Sequence, residues 1–214
     1  MTGSEGKMIK AVIFDVGGVL VRTYDRGPRR RWERRLELEE GESESIVFGG
    51  EMGTKAQSGE ISEEALWEWI GRRLALDDET LRAFRRDFWA GDVLDEELVA
   101  YIRSLRPRYQ TAIISNATDR LHAVLADVFN IADAFDVIVG SAEEKIMKPD
   151  PAIFRRTLER LGREPEETVF IDDSPPNVAG ARSLGMHAIH FRAGMDVPAA
   201  LSRLGVEPSG ISTN

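Results

Sequence analysis

The sequence contains no cysteine among its 214 residues, which excludes disulfides, thiolate metal sites and a cysteine nucleophile. It also lacks any apolar run close to the roughly 20 residues that a transmembrane helix needs. The first eight residues, MTGSEGKM, do not have the basic and then apolar pattern of a secretory signal. These absences predict a cytoplasmic protein that has no membrane partner.

Acidic residues outnumber basic ones, because the sequence has 37 aspartates and glutamates and only 28 lysines and arginines. The formal net charge is −9. An acidic surface repels polyanions, so we expect no nucleic acid partner. A small phosphorylated ligand is compatible with this net charge. Local cations, a metal or a helix N-terminus can outweigh the repulsion from a diffuse negative field at contact distance. The length suits one sizeable core with or without an accessory unit, and either a monomer or a homodimer is compatible with the sequence.

Five short apolar runs predict strands, and none of them alternates cleanly between apolar and polar residues. The lack of alternation indicates strands that are buried on both faces, as in a parallel sheet. From about residue 108 onward, strand and helix patterns follow one another, which predicts a doubly wound α/β core. The runs are KAVIFD (10–15), YQTAIIS (109–115), FDVIVG (135–140), TVFID (168–172) and HAIHF (187–191).

Residues 22–92 differ from the rest, because they contain amphipathic helical patterns and no convincing strand. They therefore predict a helical insertion between the first and second strands. The basic stretch 25–35 either steers an anionic substrate or, as we prefer, lies on a solvated helix whose arginines pair with nearby glutamates. Those glutamates are Glu33, Glu37, Glu39 and Glu40. Four aromatic side chains are expected to form the core of the insertion rather than to stack on a substrate: Trp67, Trp69, Phe88 and Trp89.

Polar residues follow four of the predicted strands. Each alone has an ordinary explanation as a turn residue, a helix cap or a surface side chain. Ligands of open α/β sheets bind outside the carboxyl ends of the strands, so together they place three carboxylates, a hydroxyl and an ammonium at one edge of the sheet. The residues are Asp15, the pair Ser115 and Asn116, Lys148, and the pair Asp172 and Asp173.

This combination of side chains is chemically coherent. Three clustered carboxylates repel one another unless a divalent cation is present, and hard oxygen ligands suit Mg²⁺. An oxygen of Asp15 can attack phosphorus, while Lys148 and the Ser115 hydroxyl can hold the phosphoryl oxygens. The set predicts Mg²⁺-dependent phosphoryl transfer from a small phosphorylated metabolite through an aspartyl-phosphate.

Four segments resemble, in order, the signature motifs of the haloacid dehalogenase superfamily: FDVGGVL, IISNA, KPDP and FIDDSPPNVAGA. The resemblance implies a Rossmann-like doubly wound parallel sheet, formed by residues 1–21 and 93–214, with an α-helical cap inserted over residues 22–92. The segments SGEISEEAL and SNATDRLH are similar to a branch of small helical-cap phosphatases that includes sugar-1-phosphate phosphatases. The glycine-rich segment 49–59 is expected to be a mobile loop of this cap.

The resemblance also implies roles by position. Asp15 is the nucleophile and a magnesium ligand, and Ser115 is the phosphate-binding hydroxyl, with Asn116 beside it offering amide donors. Lys148 steadies the nucleophile and the phosphoryl group. Of the acidic pair, Asp173 matches the direct metal ligand, and Asp172 orients the metal shell through water.

Gly17 departs from the family pattern. Phosphatases of the family usually carry an aspartate two residues after the nucleophile, and its side chain protonates the leaving oxygen. The backbone carbonyl is the metal ligand at this position, so Gly17 is expected to preserve metal binding. The missing acid is expected to cost roughly 10²–10⁴-fold for a poor leaving group and much less for a good one. Three alternatives therefore stay open: a metal-independent haloacid dehalogenase, a phosphoryl carrier or mutase, and a non-enzymatic phosphoryl-binding module.

Overall fold

The structure is a computed structural model that describes residues 7–208. A five-stranded sheet in the order β5-β4-β1-β6-β7 forms its centre, and every neighbouring pair of strands is parallel. Strands β2 and β3 form a separate antiparallel pair. The strands are β1 (Ala11–Phe14), β2 (Val21–Thr23), β3 (Asp92–Leu94), β4 (Gln110–Ser115), β5 (Val137–Gly140), β6 (Thr168–Asp172) and β7 (His187–His190).

Eleven α-helices surround these strands in the described part of the chain. A π-helix at Val124–Val128 and 3₁₀ turns at Ala132–Ala134 and Pro165–Glu167 complete it. The α-helices are α1 (Gly27–Arg35), α2 (Glu42–Phe48), α3 (Gly50–Gln57), α4 (Glu63–Arg73), α5 (Asp78–Trp89), α6 (Glu96–Leu105), α7 (Leu121–Ala123), α8 (Ser141–Glu144), α9 (Pro151–Leu161), α10 (Pro175–Ser183) and α11 (Val197–Ser202). None of the helices between residues 7 and 208 has the length and apolar character that crossing a bilayer requires.

The central strand β1 shows why the apolar runs do not alternate. Successive side chains of a strand point to opposite faces of the sheet. Val12 and Phe14 join a core that includes residues of α6 and α11, whereas Ala11 and Ile13 join a second core formed with α9 and α10. Both faces of the strand are thus buried, which confirms the doubly wound α/β fold.

Helices α1 to α5 form a unit with a hydrophobic core of its own. Trp67 and Phe88 lie in that core as expected, and Trp69 packs against it. Trp89 is 39% exposed and contacts the rings of Phe88 and Phe48 at the edge of the core. The prediction of an aromatic core is therefore confirmed for three of the four side chains and only partly for Trp89.

The prediction that residues 22–92 contain no strand is wrong at both ends of the segment. Strands β2 and β3 pair with Val21 opposite Leu94 and Thr23 opposite Asp92, where the chain leaves and re-enters the α/β core. Strands of three residues are too short to give a periodic sequence pattern, and their hydrogen bonds come from a partner about 70 residues away. The division into cap and core at these positions remains a prediction.

The prediction of a mobile loop over residues 49–59 is also wrong, because α3 occupies most of this segment. Two glycines of the segment, Gly53 and Gly59, allow close packing. A Cβ on Gly53 would lie 2.7 Å from the carbonyl oxygen of Val47, and one on Gly59 would lie 2.0 Å from that of Ala142. The same composition that suggests a flexible loop therefore allows α3 to approach α2 and the core closely.

The basic stretch forms α1, but it is not solvated throughout. Arg29 is buried and pairs with Glu44 at 2.8 Å. Of the predicted ion pairs, the one between Arg30 and Glu40 is confirmed at 2.7 Å. Glu33 is buried as well, and it accepts hydrogen bonds from the backbone and side chain of Ser43 rather than from an arginine.

Candidate active site

The residues predicted for the site meet at the carboxyl edge of the parallel sheet. Asp15 directly follows β1, Ser115 ends β4 and Asp172 ends β6. Lys148 enters from the loop between α8 and α9. The order of the strands places β1 between β4 and β6, so the three strand ends are neighbours and the sequence-distant side chains can touch.

Lys148 is the organising cation of this edge and is only 4% exposed. Its Nζ lies 2.8 Å from Oδ1 of Asp15, 2.7 Å from Oδ2 of Asp172 and 2.9 Å from the carbonyl oxygen of Ile114. The ammonium donates hydrogen bonds to Asp172 and to the Ile114 carbonyl, and it forms an ion pair with Asp15. The buried charge is therefore both paired and hydrogen-bonded, as burial requires.

Asp15 is buried, and its two carboxylate oxygens have different surroundings. Oδ1 accepts the ammonium of Lys148 and the backbone N–H of Val16, the latter at 2.7 Å. No hydrogen bond to Oδ2 is present within residues 7–208, so this oxygen is available to a ligand. Desolvation by burial raises the pKa of Asp15 to about 6, although Lys148 opposes the shift; the charge of Asp172 adds to it.

Asp15, Asp172 and Asp173 each offer a carboxylate oxygen, and these oxygens lie within 4.8 Å of one another. Lys148 compensates only part of this negative charge. Desolvation and then the charge of Asp172 raise the pKa of Asp173, which indicates crowding of like charges. Carboxylate oxygens are the donors that Mg²⁺ prefers, so the cluster fits a divalent cation in both charge and ligand type.

The two members of the acidic pair differ in how they are held. Asp172 is fully buried, and both of its oxygens accept hydrogen bonds: Lys148, Asn177 and the backbone N–H of Ser174 donate them. Asp173 is exposed at the same edge. Sequence reasoning missed Asn177, which lies in the first turn of α10. Its signal is an amide five residues after an aspartate, immediately behind two prolines that open a helix.

Ser115 and Asn116 behave differently from each other. The Ser115 hydroxyl makes no hydrogen bond within the described part of the chain, although the residue is 5% exposed. Asn116 instead donates from Nδ2 to the Lys148 carbonyl at 2.9 Å and accepts from the Lys148 N–H at 2.8 Å. This reciprocal pair fixes the backbone of Lys148, so most of the Asn116 amide is engaged there. Its role as a phosphate ligand stays a prediction.

We expect Asn116→Ala to lower kcat on the order of 10²-fold, because the loss of both amide hydrogen bonds lets the Lys148 ammonium move relative to Asp15. Thr118→Ala is the matched control, since it removes a hydrogen bond between the same loop and Glu63 without a contact to Lys148. Steady-state kinetics of both variants give the comparison. Equal losses in the two variants would mean that Asn116 only stabilises the loop.

The loop that carries Asn116 is also attached to the helical unit. Ser141, which is fully buried, accepts the Ala117 N–H at 3.0 Å and donates to the Gln57 carbonyl at 2.6 Å. Thr118 donates to Glu63 of α4 at 2.6 Å. The helical unit and the residues after β4 thus hold one another in place, a contact that the sequence did not predict.

Gly17 and Gly18, which lie shortly after Asp15, have unlike surroundings. Gly18 has φ +78°, and a Cβ there would lie 2.1 Å from Oδ2 of Asp173. A Cβ on Gly17 would meet nothing within 4 Å, and its φ lies outside the left-handed region. Glycine is therefore required at position 18, because of the left-handed backbone and the nearby Asp173 carboxylate. At position 17, packing does not require glycine.

We expect Gly18→Ala to lower the free energy of unfolding by at least about 1–2 kcal/mol, because of the left-handed backbone, and to displace the Asp173 carboxylate. Gly17→Ala is the matched control and is expected to have a much smaller effect. Denaturant titrations of both variants, with and without Mg²⁺, measure stability and cation binding together. A Gly18→Ala protein as stable and as responsive to Mg²⁺ as Gly17→Ala would contradict this geometry.

A parallel sheet with clustered carboxylates and a buried lysine at its carboxyl edge is the arrangement that the four motifs predict for a haloacid dehalogenase-like protein. The model of the haloacid dehalogenase-like hydrolase family matches residues 9–185, and the chain belongs to this family. The recognition made from the four motifs is thereby confirmed.

Three curated relatives illustrate the diversity of the matches. The mouse Acyl-CoA dehydrogenase family member 10 is 33% identical over 202 residues, 88% of this chain but only 18% of that protein. The Sesquiterpene phosphatase astK of Aspergillus oryzae is 24% identical, over 85% of this chain and 89% of its own length. The (S)-2-haloacid dehalogenase of Xanthobacter autotrophicus is 25% identical, over 83% and 73% respectively.

Solved structures agree with the fold. A predicted HAD-like family hydrolase from Porphyromonas gingivalis superposes with a TM-score of 0.78 at 28% identity, covering 94% of this chain and 100% of that one. A HAD family enzyme from Bacteroides thetaiotaomicron, in complex with magnesium and inorganic phosphate, gives a TM-score of 0.76 at 25% identity, covering 90% and 98%. The sheet and helical unit together therefore have the architecture of this family.

Proposed function

We propose that this protein is a Mg²⁺-dependent phosphatase that hydrolyses a small phosphorylated metabolite through an aspartyl-phosphate on Asp15. The observation that carries the proposal is the asymmetry of Asp15. One oxygen is held by Lys148 and the Val16 N–H, and the other is unbonded within residues 7–208, beside two further carboxylates. A nucleophile needs this combination of a fixed orientation and one free oxygen.

The residues that would hold the cation are Asp15, Asp173 and the backbone carbonyl of Gly17, with Asp172 acting through water. Asp172 suits the indirect role because its oxygens already accept hydrogen bonds from Lys148, Ser174 and Asn177. When bound, Mg²⁺ supplies positive charge against the phosphoryl oxygens and the acidic cluster. The Bacteroides thetaiotaomicron relative, solved with magnesium and phosphate, supports this choice of ion and ligand.

The side chains of the chain itself would share the remaining tasks. The free oxygen of Asp15 attacks phosphorus, and the Ser115 hydroxyl donates to a phosphoryl oxygen. Lys148 keeps the other Asp15 oxygen in place and adds positive charge next to the transferring group. Asn116 contributes by fixing Lys148, and its second amide hydrogen remains for the phosphate.

The dehalogenase alternative is favoured by one observation, the similarity to the Xanthobacter autotrophicus enzyme. In a haloacid dehalogenase the aspartate attacks a carbon atom of the substrate, and the reaction needs no metal. The acidic pair at residues 172 and 173 argues against it, because an anionic haloacid would meet these carboxylates without a cation to relieve the repulsion. The mutase and the binding module share the phosphate site and differ in what happens to the phosphoryl group.

The experiment that tests the proposal is phosphate release from nitrophenyl phosphate, with Mg²⁺ and with a chelator. We expect release with Mg²⁺ and none with the chelator. Halide release from a 2-haloacid that is unaffected by the chelator would establish the dehalogenase instead. Transfer to an added sugar phosphate rather than to water would indicate the mutase. Stabilisation by Mg²⁺ and phosphate without turnover would leave the binding module.

A further inference from the structure

Position 17 is open space at the site. Gly17 is exposed, and no atom beyond its chain neighbours lies within 4 Å of the place where its Cβ would be. A carboxylic acid on residue 17 would reach only a few ångströms beyond that Cβ. Within the described residues, nothing but the chain neighbours lies within 4 Å of that Cβ position, so no other side chain takes the place where a side chain on residue 17 would begin.

The cation nearest to Asp15 is not free to act as an acid either. The Lys148 ammonium donates to Asp172 and to the carbonyl of Ile114, and it forms an ion pair with Asp15 at 2.8 Å. Giving one of its protons to a leaving oxygen would break a buried ion pair and leave a neutral amine between two carboxylates, which is unfavourable. Lys148 therefore stabilises charge but does not supply a proton.

We propose, on the basis of the proposed phosphatase activity, that the site acts on phosphates whose leaving oxygen departs as an anion without being protonated. The chemistry shared by such substrates is a leaving group of low pKa. Acyl phosphates, phosphoanhydrides and phosphates of acidic hydroxyl groups belong to this class, whereas phosphates of ordinary alcohols do not. General acid catalysis matters little for the first group and contributes typically 10²–10⁴-fold for the second.

Both half-reactions balance for an acyl phosphate without any proton donor. In the first, the Asp15 carboxylate forms a bond to phosphorus, the bond from phosphorus to the leaving oxygen breaks, and the leaving carboxylate takes the electron pair. In the second, water attacks phosphorus, the bond to the Asp15 oxygen breaks, and H₂PO₄⁻ departs with both hydrogens of the water. Asp15 is regenerated as a carboxylate.

The experiment measures kcat/KM for a series of phosphates with leaving groups of graded pKa, using the full chain with Mg²⁺. The series comprises substituted phenyl phosphates, a simple alkyl phosphate, acetyl phosphate and inorganic pyrophosphate. We expect kcat/KM to fall steeply as the leaving-group pKa rises. The relative rates of acetyl phosphate, pyrophosphate and phenyl phosphates identify which member of the class the site prefers.

Two substitutions at position 17 sharpen the test. Gly17→Asp restores a carboxyl group in open, unstrained space and is expected to reduce the preference for aryl over alkyl phosphate by about 10²–10⁴-fold. Gly17→Asn, which has nearly the same shape but no acidic proton, is expected to keep the wild-type preference. If both variants change the preference equally, the effect is steric and the proposal fails.

The outcome separates this inference from the proposed function. Wild-type kcat/KM that is independent of leaving-group pKa, in a protein whose turnover requires Mg²⁺ and Asp15, would overturn the inference and leave the phosphatase intact. No Mg²⁺-dependent phosphate release from any member of the series would overturn both. The dependence of wild-type kcat/KM on leaving-group pKa is measured without any variant. It therefore remains decisive even if a substitution impairs folding.

Discussion

We expect Asp15→Asn to lower kcat/KM by about 10⁴-fold or more, because the amide has no nucleophilic carboxylate oxygen. The fold is expected to survive the substitution. The amide oxygen of asparagine can still accept the hydrogen bonds that Lys148 and the Val16 N–H donate to Asp15. Burial raises the pKa of Asp15 to about 6, so replacing its charge by a neutral amide also relieves part of the desolvation cost.

The measurement is phosphate release from an activated aryl phosphate, together with the thermal unfolding temperature of each protein. Asp150→Asn is the matched control, because Asp150 caps α9 by accepting the Ala152 N–H and asparagine caps helices equally well. Quenched samples of the wild-type protein are expected to contain acid-stable phosphate on residue 15, and those of Asp15→Asn none. Turnover within tenfold of wild type in Asp15→Asn would refute the covalent mechanism.

Lys148→Met is expected to lose both activity and stability. Its removal leaves Asp15 and Asp172 buried without the ammonium that joins them. Breaking a buried ion pair from one side lowers the free energy of unfolding by about 3–5 kcal/mol, and the orientation of the nucleophile is lost at the same time. Because the acidic cluster is then less compensated, Mg²⁺ is expected to stabilise this variant more than the wild-type protein.

Denaturant unfolding with and without Mg²⁺ measures these effects. The control is the double variant Lys148→Met with Asp172→Asn, which removes one buried carboxylate along with the ammonium. It is expected to recover part of the lost stability and none of the activity, so that the two substitutions are not additive. A single Lys148→Met variant that loses less than about 1 kcal/mol would contradict the organising role of this lysine.

The fold could be predicted from the sequence to a large extent. The five apolar runs coincide with the strands of the parallel sheet, and the absence of alternation in β1 follows from burial on both faces. These features depend on local patterning, which each segment carries in itself. The structure of the C-terminal end is harder to predict from local pattern. The polar composition of residues 205–214, with its glycine, serine and proline, predicts a frayed tail. Val206 is nevertheless fully buried and the Gly205 carbonyl accepts a hydrogen bond from the Tyr109 hydroxyl, while residues 209–214 lie outside the described part.

The sequence by itself determined which chemical groups stand at the strand ends, because their positions after apolar runs place them at one edge of any parallel sheet. Only the tertiary structure decided how these groups contact one another. The clamp of Asn116 on Lys148 and the fit of Gly18 against Asp173 join residues far apart in the chain. The short ladder of β2 and β3 and the close packing of α3 arise in the same way, from partners that no local pattern can specify.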